Sequence, residues 1–187
     1  MDVELFHFIN HTLSNDFLDW LAPILRNKIT WIPVYIFLLI FIALKFRKQS
    51  FVIILCAILA SSLADTISSK LIKPLVQRVR PCNEKIMNPE VRDLIGCGSG
   101  YSFPSSHSSN HFALSVFLAM AVWPTNRIVR TLLLIWAASV AFSQVYVGVH
   151  YPLDVTIGAI LGTVLGGISF WLSSQVLNIL NRKEVNA

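Results

Sequence analysis

Three short polar clusters carry the side chains from which chemistry could be built. The first reads Lys73-Pro74-Leu75-Val76-Gln77-Arg78-Val79-Arg80-Pro81 and the second Pro104-Ser105-Ser106-His107; the third runs from Ser143 through Gln144 and His150 to Asp154. Together they offer cations, helix starts, two histidines and a carboxylate. That inventory suits phosphoryl transfer, in which charge spreads over the equatorial oxygens and catalysis is mostly positioning and electrostatic stabilisation. An arginine such as Arg80 can grip phosphate oxygens as a bidentate fork, while Lys73 supplies a point charge. Proline is tolerated in a first helical turn, so Pro104 predicts a helix start where the amides of Ser105, Ser106 and His107 face an anion. Pro152 predicts a second start, with Asp154 in its first turn and His150 just ahead of it. Neutral His150 can attack phosphorus while a carboxylate on its other ring nitrogen sets the tautomer. Protonated His107 can donate to the leaving oxygen.

Apolar elements must position these groups. The chain has 187 residues, 55% hydrophobic and 13% charged, with a net charge of +5 and a mean hydropathy of +0.63. Soluble domains carry about 25% charged residues, so a soluble globule, a disordered chain and a disulfide-dense miniprotein are all disfavoured. A spanning helix needs roughly 20 apolar residues, and five apolar segments are visible, at about 31–46, 51–72, 104–123, 128–147 and 155–180. The expected fold is an all-α integral membrane helical bundle with about five transmembrane helices. It forms one membrane-embedded domain over 1–187, with the motifs in 70–154. The first 28 residues alternate apolar clusters with Asn10, His11, Asn15, Asp16 and Asp19, which predicts an amphipathic segment lying in the membrane interface. The start Met1-Asp2-Val3-Glu4 does not resemble a cleavable signal peptide, whose n-region is basic. Gly158, Gly162 and Gly166 form a small-residue stripe for close helix packing, and Asp65 is an acid within a span.

The basic residues divide nearly evenly between the two sides, but their distribution differs. Lys45, Arg47, Lys48, Arg127, Arg130, Arg182 and Lys183 are scattered over three short polar ends, as topogenic charges are. Most of the opposite set, which also includes Arg26 and Lys28, lies in one long loop from Lys70 to Arg92. Cys82 and Cys97 both fall in the connection between the second and third apolar segments and either stand unpaired or close a disulfide that would persist only in an oxidising compartment. Both features place the loop and the three clusters on the outer face. Within it, Lys85, Arg92 and Tyr101 either shape headgroup access or belong to a braced connector.

The three clusters resemble the tripartite signature of the type 2 phosphatidic acid phosphatase family, related to vanadium haloperoxidases. In that pattern Lys, six residues and Arg-Pro are followed by Pro-Ser-Gly-His, then by Ser-Arg, five residues, His, three residues and Asp. Lys73, Arg80 and Pro81 match the first part, Pro104, Ser105 and His107 the second, and Ser143, His150 and Asp154 the third. The resemblance covers about half the chain. It implies a nucleophilic His150 oriented by Asp154, His107 as the acid, and Lys73, Arg80 and Ser105 as phosphate ligands, with no metal or other cofactor required. Two positions depart from it. Ser106 replaces a glycine, which matters only if that backbone needs positive φ. Gln144 replaces an arginine, leaving a neutral donor about half as strong as a charge-assisted one; Arg78 is a candidate to compensate.

Two other classes of protein could use the same residues. His107, His111, His150 and Asp154 could hold zinc, although the surrounding cations oppose it. A lipid-phosphate binding or transport protein would need the basic site without the chemistry. The expected partners are membrane lipids and a lipid phosphate substrate, with no nucleic acid. Undecaprenyl diphosphate, cleaved to the monophosphate at the outer face of a bacterial inner membrane, is the favoured substrate. Phosphatidylglycerophosphate, phosphatidic acid and lipid A 1-phosphate are the alternatives.

Overall fold

The computed structural model describes residues 1–84 and 91–185, so Lys85 lies outside the described residues, as does the side chain of Lys183. Every described element is helical: α1 (Asp2–His7), α2 (Asp16–Arg26), α3 (Ile32–Phe46), α4 (Ser50–Thr66), α5 (Lys73–Val76), α6 (Ser106–Ala121), α7 (Arg127–Tyr146) and α8 (Pro152–Val185). The five apolar segments thus become α3, α4, α6, α7 and α8. Three stretches are long and apolar enough to cross a membrane: Lys28–Val76, Arg127–Tyr146 and Pro152–Arg182. The first contains two of the expected spans, separated by a turn over Arg47–Gln49 in which Arg47 takes φ 47°. At 16 residues, α6 is shorter than a full span. The chain is an integral membrane helical bundle.

Its packing is inverted relative to a soluble protein. Large apolar side chains face outward, among them Phe37 (63% exposed), Leu44 (75%) and Ile128 (74%), whereas the interior of α4 is built from Ala57, Ala60 and Ala64. Lipid is as apolar as leucine, so close backbone approach between small residues holds such helices together. The glycine stripe does this for α8 against α6. A Cβ on Gly162 would come within 2.2 Å of the Ser109 carbonyl oxygen, and one on Gly166 within 2.5 Å of that of Ala113. With 34 residues, α8 is about 51 Å long, enough to cross the bundle and project beyond it.

The scattered cations gather at one end. Lys45 donates to the Val122 carbonyl at 3.2 Å, joining the end of α3 to the end of α6. Gln49 donates to Asn181 at 3.3 Å, joining the start of α4 to the end of α8.

The first 28 residues form the short helices α1 and α2. They fold over the opposite end of the bundle and dock by buried polar contacts. Asn10, fully buried, donates to the carbonyls of Arg92 (2.9 Å) and Tyr146 (2.8 Å) and accepts from the Arg92 amide (2.9 Å). Asp19 accepts from the Tyr146 hydroxyl at 2.6 Å and from Arg92 at 2.5 Å. The buried Phe6 ring meets Tyr151 edge-on at 5.3 Å. One side of α2 still presents Phe17 and Trp20 outward, which is the amphipathic pattern read from the sequence. Cys82 and Cys97 form a disulfide with a Cα–Cα distance of 5.6 Å.

Candidate active site

A cavity of about 320 Å³ opens at this second end, lined by Arg26, Lys73, Arg80, Gly96, Gly98, Ser106, His107, Gln144, Val149 and His150. Residues far apart in sequence meet here because helix ends and the connections beside them converge at this point. Lys73 opens α5, which continues α4 through a widened π turn at Ile67–Ile72. Gln77 then takes a left-handed backbone (φ 52°) and the chain runs extended through Arg80 to Pro81. Ser102 holds that run, with its amide donating to the Arg78 carbonyl at 2.8 Å. Lys73 donates to the Tyr101 carbonyl at 3.0 Å and Arg80 Nε to that of Gly100 at 3.2 Å. Burial disfavours the Arg80 charge, leaving its pKa below the ordinary arginine value although Asp154 opposes the shift.

The second cluster starts α6 later than Pro104 suggests. Ser105 is the N-cap and Ser106 the first helical residue. The fully buried Ser105 hydroxyl accepts from the Ser108 amide at 3.4 Å, and the Ser105 amide donates to the Asp154 carbonyl at 2.9 Å. Ser105 therefore shapes the helix start without lining the cavity, and Ser106 and His107 are the residues that face it. Ser106 does not need glycine, because it is helical and is absent from the positive-φ residues; its hydroxyl pairs with that of Ser68 at 2.8 Å.

The third cluster supplies His150 and Asp154. Between α7 and α8 the chain turns at Gly148 (φ 90°), where a Cβ would fall 2.4 Å from the Arg92 carbonyl oxygen. The turn seats His150, 2% exposed, in the cavity wall and starts α8 at Pro152. His150 Nδ1 lies 3.4 Å from Asp154 Oδ2, at ion-pair distance, and makes no hydrogen bond among the described residues. Asp154 Oδ2 accepts instead from the Tyr151 amide at 2.9 Å. Burial holds His150 down to about 4 against the pull of Asp154, and the charges of Lys73 and Arg80 lower it further. The ring is thus neutral at ordinary pH.

Arg78 is placed differently from the expectation. Its guanidinium donates to Asp154 Oδ1 at 2.8 Å and Asp2 Oδ2 at 2.6 Å, and lies 4.0 Å over the Tyr151 ring. Burial works against its charge, but Asp2 and Asp154 outweigh it and leave the pKa above the ordinary value. Arg78 sits behind Asp154, paired with it and with Asp2, and does not line the cavity. The cavity contains instead Arg26, the last residue of α2. In the sequence it is a single cation at the end of an amphipathic segment, with no motif spacing to single it out.

The zinc arrangement is not assembled. His111 Nδ1 lies 2.9 Å from the His107 carbonyl and its Nε2 3.5 Å from the Tyr35 hydroxyl. Among the described residues, no group of three or more His, Cys, Asp or Glu could hold a metal ion. A second and larger hollow, about 560 Å³, runs down between α3, α4 and α6, lined mainly by apolar groups such as Leu38, Ile42, Ile58 and Leu118. It shares Ser106 and His107 with the polar cavity. Asp65 also lines it and accepts from Asn110 at 3.2 Å.

This combination of a helical membrane bundle and a basic, histidine-bearing cavity defines a class, and comparison with known proteins agrees. The chain belongs to the PAP2 superfamily, whose family model matches residues 50–177. It is 29% identical to a protein of Bacteroides thetaiotaomicron named lipid A 4'-phosphatase, over 94% of this chain and 78% of that one. It is 30% identical to a Sulfolobus acidocaldarius protein named undecaprenyl-diphosphatase, over 92% and 79%. Among solved structures, Aquifex aeolicus LpxE superposes with a TM-score of 0.68 at 26% identity, covering 90% of this chain and 93% of that one. The chain is a membrane phosphatase of this superfamily.

Proposed function

We propose that the protein releases phosphate from a lipid phosphate through a phosphohistidine at His150. The observation that carries this reading is the junction of the two hollows at Ser106 and His107, one basic and one apolar. An amphiphile fits across it, with the phosphate among Lys73, Arg80 and His150 and the tail between α3, α4 and α6. His150 Nε2 attacks phosphorus while the bond to the leaving oxygen breaks, and that oxygen takes the proton of His107. Asp154, beside Nδ1, stabilises the positive charge that develops on the ring. Water then attacks the phosphohistidine, giving its proton to His107; the phosphorus–nitrogen bond breaks, and inorganic phosphate and neutral His150 are restored. No step calls for a metal.

The proposed substrate is undecaprenyl diphosphate, cleaved to the monophosphate at the outer face of a bacterial inner membrane. The disulfide supports that placement, because such bonds persist in oxidising compartments. The gathering of Lys45, Arg127 and their neighbours at the opposite end supports it too. A second reading, lipid A 4'-phosphate, is favoured by the Bacteroides relative that aligns with 94% of this chain. Phosphate release by purified protein from a panel of these lipids tests both, with phosphatidylglycerophosphate and phosphatidic acid included. Release from undecaprenyl diphosphate alone upholds the first, and release from lipid A with retention of the diphosphate upholds the second. Undiminished release by His150→Ala would remove the mechanism itself.

A further inference from the structure

We propose that Arg26 binds the phosphate, supplying from α2 the positive charge that position 144 lacks. This rests on the phosphatase reading and extends it to a residue outside the three motifs. Two observations converge. Arg26 lines the cavity with Lys73, Arg80, Gln144 and His150, and its buried Nε has no hydrogen-bond partner. Gln144 is fully buried in the same wall, and neither its Nε2 nor its Oε1 has a partner. Buried donors without a partner cost free energy, so Arg26 Nε and Gln144 Nε2 suit an acceptor on the ligand. The acceptor is an anion. Among the described residues no carboxylate lines the cavity, and burial and then the Arg80 charge disfavour the Arg26 cation, with Asp93 opposing them. A phosphoryl group among the three cations would relieve their repulsion and accept from Nε and from the Gln144 amide.

Arg26 is also held firmly enough to act. Its helix is tied down through Asp19 to Tyr146 (2.6 Å) and Arg92 (2.5 Å), and Trp31 Nε1 donates to the Leu25 carbonyl at 2.7 Å beside it. The docked N-terminal segment thus completes the wall of a cavity whose other charged groups come from the three motifs.

The test is charge exchange between positions 26 and 144, read by phosphate release and by orthovanadate inhibition. Arg26→Ala should lower kcat/KM by about 10²-fold and weaken vanadate inhibition by a similar factor. Arg26→Lys should keep most of both, and Gln144→Arg added to Arg26→Ala should recover about tenfold or more. A purely structural Arg26 would show no rescue from position 144 and no selective loss of vanadate binding. If Arg26→Ala does not fold, Arg26→Gln, with and without Gln144→Arg, gives the same comparison. Vanadate inhibition within about twofold of the parent, or failure of Gln144→Arg to rescue a folded variant, would overturn the proposal. His150→Ala separates the two levels. If it keeps activity, the phosphatase mechanism falls; if it is inactive while Arg26→Ala is normal, only the role of Arg26 falls.

Discussion

Arg78 donates to Asp154 Oδ1 at 2.8 Å, on the oxygen opposite the one that approaches His150. The arginine therefore contacts the carboxylate beside the proposed nucleophile and does not line the cavity. Its second ion pair, to Asp2 at 2.6 Å, ties the first residues of the chain to this relay. Asp2 Oδ1 also accepts the Leu153 amide at 2.8 Å, in the first turn of α8.

This arrangement separates two arginines that lie two residues apart in sequence. Arg80→Ala should weaken vanadate inhibition by about 10²-fold, because it removes a charged donor from the cavity. Arg78→Ala should leave vanadate inhibition near the parent value while lowering kcat. Equal loss of vanadate binding in both variants would show that Arg78 reaches the phosphate.

The pH dependence follows from His150. Neutral imidazole is the nucleophile, and the ring is held near 4, below the ordinary histidine value of 6.5. The reactive form is thus present above about pH 4 and lost below it, so the limb of kcat/KM belonging to this group lies near 4 rather than 6.5. Removing the Arg78 charge lets Asp154 favour the imidazolium more strongly and should move the limb upward in Arg78→Ala. A kcat/KM profile from about pH 3 to about pH 8 reads both; a fall centred at the ordinary 6.5 in the parent would contradict the first.

Asp154→Asn removes the carboxylate beside Nδ1 and should reduce kcat by about 10²–10⁴-fold with little effect on substrate affinity. Single-turnover release with radiolabelled phosphate would place the loss in the step that forms the acid-labile adduct.

The Cys82–Cys97 bridge closes a loop with a sequence separation of 15, next to Gly96 and Gly98 of the cavity wall. Its loss should cost about 3 kcal/mol in the chain-entropy model. Reductant should lower the melting temperature of the parent and leave that of a Cys82→Ser, Cys97→Ser double variant unchanged.

Helix packing offers an internal control. Gly162→Ala places a Cβ 2.2 Å from the Ser109 oxygen, whereas Gly167 on the same helix has nothing within 4 Å. The first should cost about 1–3 kcal/mol by overpacking, and should also lower activity because α6 and α8 carry His107 and Asp154. Gly167→Ala should be neutral or stabilise by up to about 1 kcal/mol. Melting temperatures of the two variants decide it.

Much of this was legible in the chain. Lys73, Arg80, His107, His150 and Asp154 could be read because each lies at a fixed offset from a proline or from another motif residue, and because apolar runs announce the helices between them. Those are local signals, written in spacing and hydropathy. Arg26, the role of Arg78 and the capping use of Ser105 had no such signature, and the pairing of Cys82 with Cys97 was one of two alternatives that the sequence allows. Each depends on which helix ends arrive at one point, and the approach distances of α6, α8 and the docked α2 decide that. The sequence by itself determined a membrane bundle and a basic site with two histidines. Only the tertiary structure decided which cations reach that site, because a side chain's partners are set by packing between segments that sequence distance does not encode.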